Sequence, residues 1–161
     1  MAEVETTRDL LVMALQDLHD GERAMVERLG TVQGNLADDA LRTIVAEDED
    51  RSARQRDALT QALGTLDADA GDTENIWLRA ILDDADNDAE TIARGPLRDI
   101  AIAGALRKGK QSQRVSYETA IALARKLGKK DADTALSRMA QEAEDTDTAL
   151  AQALALLSTG L

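Results

Sequence analysis

The chain has 161 residues, enough for one domain with a sizeable core, and no cysteine, which excludes a disulfide framework or a thiolate metal site. Its 31 acidic against 19 basic residues leave a net charge of −12, a field that repels phosphate and argues against nucleic acid and anionic membranes as partners. One Pro, one Trp, one Tyr and no Phe point to helices packed closely through Ala and Leu.

Met1-Ala2-Glu3-Val4-Glu5 lacks the basic-then-apolar pattern of a signal peptide. No apolar run nears the roughly 20 residues that cross a bilayer. The expectation is a cytoplasmic protein folded as a single domain over residues 1–161.

The first predicted helix starts at Thr6 or Thr7 and runs to about Gln33. Leu11, Leu15, Leu18, Glu22, Met25, Leu29 and Val32 recur every three or four residues and so share one face. Glu22 is the only charge on that face. The second helix follows Leu36, opens on Asp38 and Asp39, which suit the positive end of the helix dipole, and ends at Gly64. Leu41, Ile44 and Val45 begin its stripe and Leu59, Ala62 and Leu63 close it. Its middle, Glu47-Asp48-Glu49-Asp50-Arg51-Ser52, is polar.

Thr65 to Gly71 reads as a linker. A shorter helix capped by Asp72 or Thr73 carries Ile76, Trp77, Ala80, Ile81 and Ile92, and Trp77 is expected to anchor it to the bundle. Gly95-Pro96 breaks it, with Pro96 suited to the first position of the next helix. That helix, about 96 to 127, has the stripe Ile102, Leu106, Lys110, Gln113, Tyr117, Ala120, Ala124 and Leu127. A lysine and a glutamine therefore stand where the period calls for core. Burying an ammonium costs several kcal/mol unless acids meet it. The last helix, about 131 to 157, carries Leu136, Met139, Ala143, Asp147, Leu150, Leu154 and Leu157, again polar near its centre.

Each long helix thus has apolar ends and a polar middle, and in a bundle of alternating directions the middles meet in one layer. The fold class expected is all-α, a ferritin-like four-helix bundle with one additional short helix between helices two and three. The layer should hold Glu22, some of Glu47, Asp48 and Asp50, then Lys110 with Gln113, and Asp147, with Glu142 nearby. Lys110 should form a buried ion pair with Glu22 or with an acid of the last helix. Gly104 and Gly109, each costing about 1 kcal/mol inside a helix, suggest close helix approach.

Other features read more plainly. His19, the only histidine, lies three residues before Glu22 and is expected to pack at the helix edge, since a lone His is a weak metal signal. Asp84-Ala85-Asp86-Asn87-Asp88 imitates the start of a calcium loop. It has Ala89 where the loop needs Gly and Gly95 where it needs Glu, so a solvated acidic helix face is expected. Tyr117 is expected to serve packing.

Leu15-Gln16-Asp17-Leu18-His19-Asp20-Gly21-Glu22, Ala120-Ile121-Ala122-Leu123-Ala124-Arg125-Lys126-Leu127-Gly128 and Gln141-Glu142-Ala143-Glu144-Asp145-Thr146-Asp147 together resemble the YciE/YciF-type ferritin-like family of unknown function, in order and spacing. The resemblance spans nearly the whole chain. It implies metal positions at Glu22, Glu47, Asp50, Glu142 and Asp147, vestigial here. The family's Glu-His-Tyr-Glu run falls on Lys110-Gln111-Ser112-Gln113, helix two lacks the family's histidine, and a family Glu falls on Ala143.

A two-metal centre needs several carboxylates, usually with histidine, to balance about four positive charges. Lys110 replaces part of that charge. The resemblance therefore implies a stress-associated, non-catalytic homo-oligomer, a dimer, with a degenerate site, no cofactor, and a protein partner as a further option. The alternative is an Fe- or Mn-binding oxidase or storage protein with a reduced ligand set, such as one ion on Glu22, Asp48 or Asp50, and Asp147. A component of a larger shell is a third option.

Overall fold

The computed structural model describes residues 3–161; the expectation drawn from Met1 and Ala2 lies outside them. Five helices form: α1 (Thr7–Asn35), α2 (Asp39–Gly64), α3 (Ile76–Thr91), α4 (Pro96–Lys126) and α5 (Lys130–Thr159). No strand occurs among the described residues. The four long helices and the short one between the second and third follow the expected order.

Local chemistry fixes the ends. Thr6 accepts a hydrogen bond from the Asp9 N–H, Asp38 from Leu41 and Asn75 from Leu78, each satisfying an amide that the first helical turn leaves free. Pro96 occupies the first turn of α4, where its missing N–H costs nothing. Asn75, rather than Asp72 or Thr73, caps α3. The bend before it is tightened by Gly71 at φ 61°, a left-handed conformation that glycine adopts without penalty.

α1 and α2 form one antiparallel hairpin and α4 and α5 another; α1 packs on α4 and α2 on α5. Residues 65–95 carry the chain back between the two hairpins. At the lower end Arg8 donates to the Leu66 carbonyl. At the upper end Arg94 donates to the carbonyls of Gly34 and Leu36. Asp99, near the start of α4, accepts from the N–H groups of Ala37 and Asp38, both at 2.9 Å. This buried carboxylate ties α4 to the turn between α1 and α2 and leaves α4 antiparallel to α1.

α3 lies against α1 and α4. Asp20 receives Arg79 and the Asn75 N–H, and Leu78 fits a slot between Gly21 and Gly109. A methyl group on Gly21 would meet Asn75 at 3.0 Å and Leu78 at 3.2 Å; one on Gly109 would meet Leu78 at 3.2 Å. The close approach expected at Gly109 is therefore with α3. At Gly104 no group of the chain lies within 4 Å.

Trp77 does not anchor α3: it is 74 % exposed, and Ile76 is 71 % exposed. Starting the helix at Ile76 turns Leu78, Leu82 and Ala85 inward, and Trp77, one residue before Leu78, falls about 100° off that face. Asp83 and Asp86 of the same helix pair with Arg28, so the imitation calcium sequence is helix and not loop.

The core is in two parts. Leu29, Val32, Leu41, Val45, Leu82 and Ile102 belong to the upper part, and Leu11, Leu15, Leu59, Leu63, Ala124 and Leu136 to the lower. The polar layer lies between them.

Candidate functional site

The layer is built from positions one to two turns inward of each apolar run. On α1, Glu22 follows Leu18 by four residues. On α2, Asp48 follows Val45 by three and Ser52 follows Asp48 by four. On α4, Lys110 follows Leu106 by four, with Gln113 and Tyr117 next on the same face. All six side chains are buried. The helical period that fills the core thus delivers polar groups at mid-height.

Lys110 meets Asp48. Its Nζ stands 2.7 Å from Oδ1 and 2.7 Å from Oδ2, a charge pair bridging α4 and α2. The expectation named Glu22 or an acid of α5 as partner, and it is corrected here. Glu22 instead accepts from the Tyr117 hydroxyl at 2.5 Å and from Gln113 Nε2 at 3.0 Å, both on its Oε1. Tyr117 therefore does more than pack: it is a donor to the only acid on the core face of α1.

Glu22 is 0 % exposed. Desolvation drives its carboxyl up to about 7, against the opposing pull of the Lys110 charge and the Tyr117 hydrogen bond. Burial likewise raises the Tyr117 phenol well above its usual value, and the neighbouring Glu22 adds to the effect. Glu22 Oε2, Ser52 Oγ and Gln113 Oε1 are buried without a hydrogen-bond partner.

The other residues implied by the resemblance lie elsewhere. Glu47 and Asp50 flank Asp48 on α2 and are exposed, because one and two residues of helix turn them about 100° and 200° from the core face. Neither side chain enters the layer with Glu22 and Asp48. Glu142 is half-buried at the edge of the bundle, where Gln55 donates to it at 2.7 Å. Asp147 is buried, but it faces Arg107 (2.8 Å) and Gln111 (2.7 Å) of α4 rather than Glu22. Its carboxyl, though desolvated, is held below the usual range by those two donors. His19 is half-buried at the α1–α2 edge; burial, then the charges of Arg23 and Arg56, lower its imidazole.

Gln55 also faces inward, and Ser52, the end of the polar run of α2, is buried beside it. Their signal is the same period: four and seven residues beyond Asp48.

The donor chemistry does not fit a pair of metal ions. Among the described residues no three His, Cys, Asp or Glu side chains gather where they could hold one ion. The two carboxylates that do enter the layer are engaged by an ammonium and by a phenol with an amide. An ammonium within 2.7 Å of a would-be ligand adds positive charge where two cations would need negative charge.

Comparisons with known proteins agree with this architecture. The family model described as Domain of unknown function (DUF892) matches residues 6–158. The structure is similar to that of the stress protein YciF of E. coli, with a TM-score of 0.92 and 18 % identity over 97 % of this chain and 99 % of that one. It is also similar to YcfI of Rhodopseudomonas palustris, with a TM-score of 0.87 and 22 % identity over 92 % of this chain and 94 % of that one. At these identities the likeness shows the fold, a ferritin-like helical bundle. No curated protein matches the sequence. No helix is long and apolar enough to cross a membrane among the described residues.

Proposed function

We propose that this chain, which belongs to the DUF892 family of unknown function, is a stress-associated, cytoplasmic bundle protein whose metal layer is closed by Lys110 and which acts as a structural or interaction protein. The observation that carries the reading is the Lys110–Asp48 pair in the centre of the bundle. A layer that balances its own charge needs no cation to offset buried carboxylates, and such an offset is what relatives with a full ligand set would require. The stress association is taken from the name of the E. coli relative.

Self-association is part of the proposal. Ile76 and Trp77 form an exposed apolar spot on α3, and exposed aromatic groups of this kind are enriched at protein interfaces. A second copy of the chain is the proposed partner.

Elemental analysis of purified protein tests the closed layer. The expected result is iron and manganese far below one ion per chain; one or two ions per chain would sink the reading. A sharper arm replaces Lys110→Glu and Gln113→Glu together. The double variant should bind Fe(II) or Mn(II), seen as a metal-dependent rise in Tm, where the parent shows none.

One observation favours a second reading, a reduced site for a single Fe or Mn ion. Three oxygens, on Glu22, Ser52 and Gln113, are buried in the layer without a partner. Stoichiometric metal abolished by Glu22→Gln would support it.

A further inference from the structure

We propose that Lys110 and Asp48 form an isopeptide bond, Nζ to Cγ, so that the ion pair in the layer is replaced by a covalent lock. This deepens the closed-layer reading and rests on its central pair. The geometry is the argument. Lys110 Nζ is equidistant from both oxygens of Asp48 at 2.7 Å, so it stands within reach of the carboxyl carbon between them. Both side chains are buried, with relative exposures of 3 % and 6 %. Held reactants need no encounter, and this is the largest advantage an intramolecular reaction has.

The reaction runs through uncharged species: a proton passing from the Lys110 ammonium to the Asp48 carboxylate supplies a neutral amine and a neutral acid. Apolar layers lie above and below, with Leu106 one turn before Lys110 and Val45 one turn before Asp48. They hinder water from reversing the reaction.

A third carboxyl supplies the proton relay. Glu22 is buried in the same layer as Lys110 and Asp48. Its Oε1 is occupied by Tyr117 and Gln113, while its Oε2 is buried and free. That free oxygen is the position from which a proton can be given and taken.

The steps balance. The Lys110 amine attacks Asp48 Cγ, forming the C–N bond as Glu22 protonates the carbonyl oxygen. Glu22 then takes a proton from the nitrogen. It returns that proton to a departing hydroxyl, the C–O bond breaks with loss of one water, and Glu22 takes back from the carbonyl oxygen the proton it lent there. One ammonium and one carboxylate become one amide and one water. Nothing is oxidised or reduced, the net charge of the chain is unchanged, and Glu22 ends as it began. Lys110 and Asp48 are the reacting groups, Glu22 the acid–base residue, and Tyr117 and Gln113 position it.

Intact mass under denaturing conditions tests the bond. The full chain, purified and incubated at neutral pH, should be lighter than its sequence by one water. Proteolysis should then yield a branched peptide joining the segments around residues 48 and 110. Glu22→Gln, close in shape, should keep the helical circular dichroism of the parent and show the full mass. Lys110→Arg should show the full mass as well.

A parent chain of full mass overturns the proposal, and so does a water loss that maps to an aspartyl succinimide with no branched peptide. The metal analysis of the same sample is a separate readout. A metal-free chain of full mass would remove the bond and leave the closed-layer reading standing.

Discussion

Lys110 of α4 and Asp48 of α2 meet through both carboxylate oxygens in the middle of a bundle whose upper and lower thirds are apolar. The pair links diagonal helices that otherwise share few contacts, so it sets the spacing of the two hairpins at mid-height.

Removing one member strands the other. Lys110→Met keeps the apolar stem of the side chain but leaves Asp48 buried and unpaired, which costs about 3–5 kcal/mol. Lys110→Met with Asp48→Leu should recover the share of that loss due to the stranded carboxylate. Urea unfolding of the parent, both single variants and the double variant checks this. Equal stability of the parent and Lys110→Met would show that the pair holds nothing together.

Glu22 makes stability depend on pH in the opposite sense to an ordinary paired acid. Its folded value is raised from 4.5 to about 7, so between those values the folded chain holds more protons than the unfolded one. The contribution is fully present below pH 4.5, falls as pH rises, and is gone above about 7. The span is on the order of 3 kcal/mol. Urea midpoints at pH 5 and pH 8 should differ in favour of pH 5, and Glu22→Gln should remove most of the difference. A parent more stable at pH 8, with the same slope in Glu22→Gln, would contradict this.

Much of this layer was legible in the chain because the three-to-four spacing fixes which face each residue takes. Glu22, Lys110 and Gln113 sit on apolar stripes, and all three are buried as expected. The partner of Lys110 was harder. Four acids run from Glu47 to Asp50, and only the phase set by Leu41, Val45 and Leu59 selects Asp48. Glu47 and Asp50 entered both from that polar run and from resemblance to relatives, against that phase, and they face solvent. Trp77 misled in a similar way: its size suggested an anchor, and a cap placed at Asp72 or Thr73 rather than Asn75 hid the true phase of α3. The Asp99 and Asp20 contacts join segments about 60 residues apart, which no local period reveals.

Asp20 is the clasp of α3. It takes Arg79, Arg23 and the Asn75 N–H, and although desolvation opposes it, those donors hold its carboxyl down to about 2. Asp20→Ala leaves two guanidinium groups and a helix-capping amide without their acceptor, a loss of about 2 kcal/mol or more. Amide exchange across residues 76–91 should accelerate while α5 is unchanged. Because the folded value is depressed, this stability is present above about pH 4 and lost as pH falls towards 2. Unchanged exchange in α3 would show that Leu78 alone holds the helix.

The exposed pair Ile76 and Trp77 bears on self-association. α3 already buries Leu78, Leu82 and Ala85 against the bundle, while its outward apolar groups Ile76 and Trp77 stay mostly exposed. An indole left in water forgoes the stabilisation of burial, at about 25 cal/mol per Å² of apolar surface. A second copy supplying the same patch across a twofold axis would cover both. Sedimentation equilibrium should give twice the chain mass for the parent. Trp77→Glu should give a single chain mass, since two carboxylates would face each other across the axis, with its helical content unchanged because Trp77 makes no core contact. A parent that sediments as a monomer at high concentration, or a Trp77→Glu chain that remains a dimer, would move the interface away from α3.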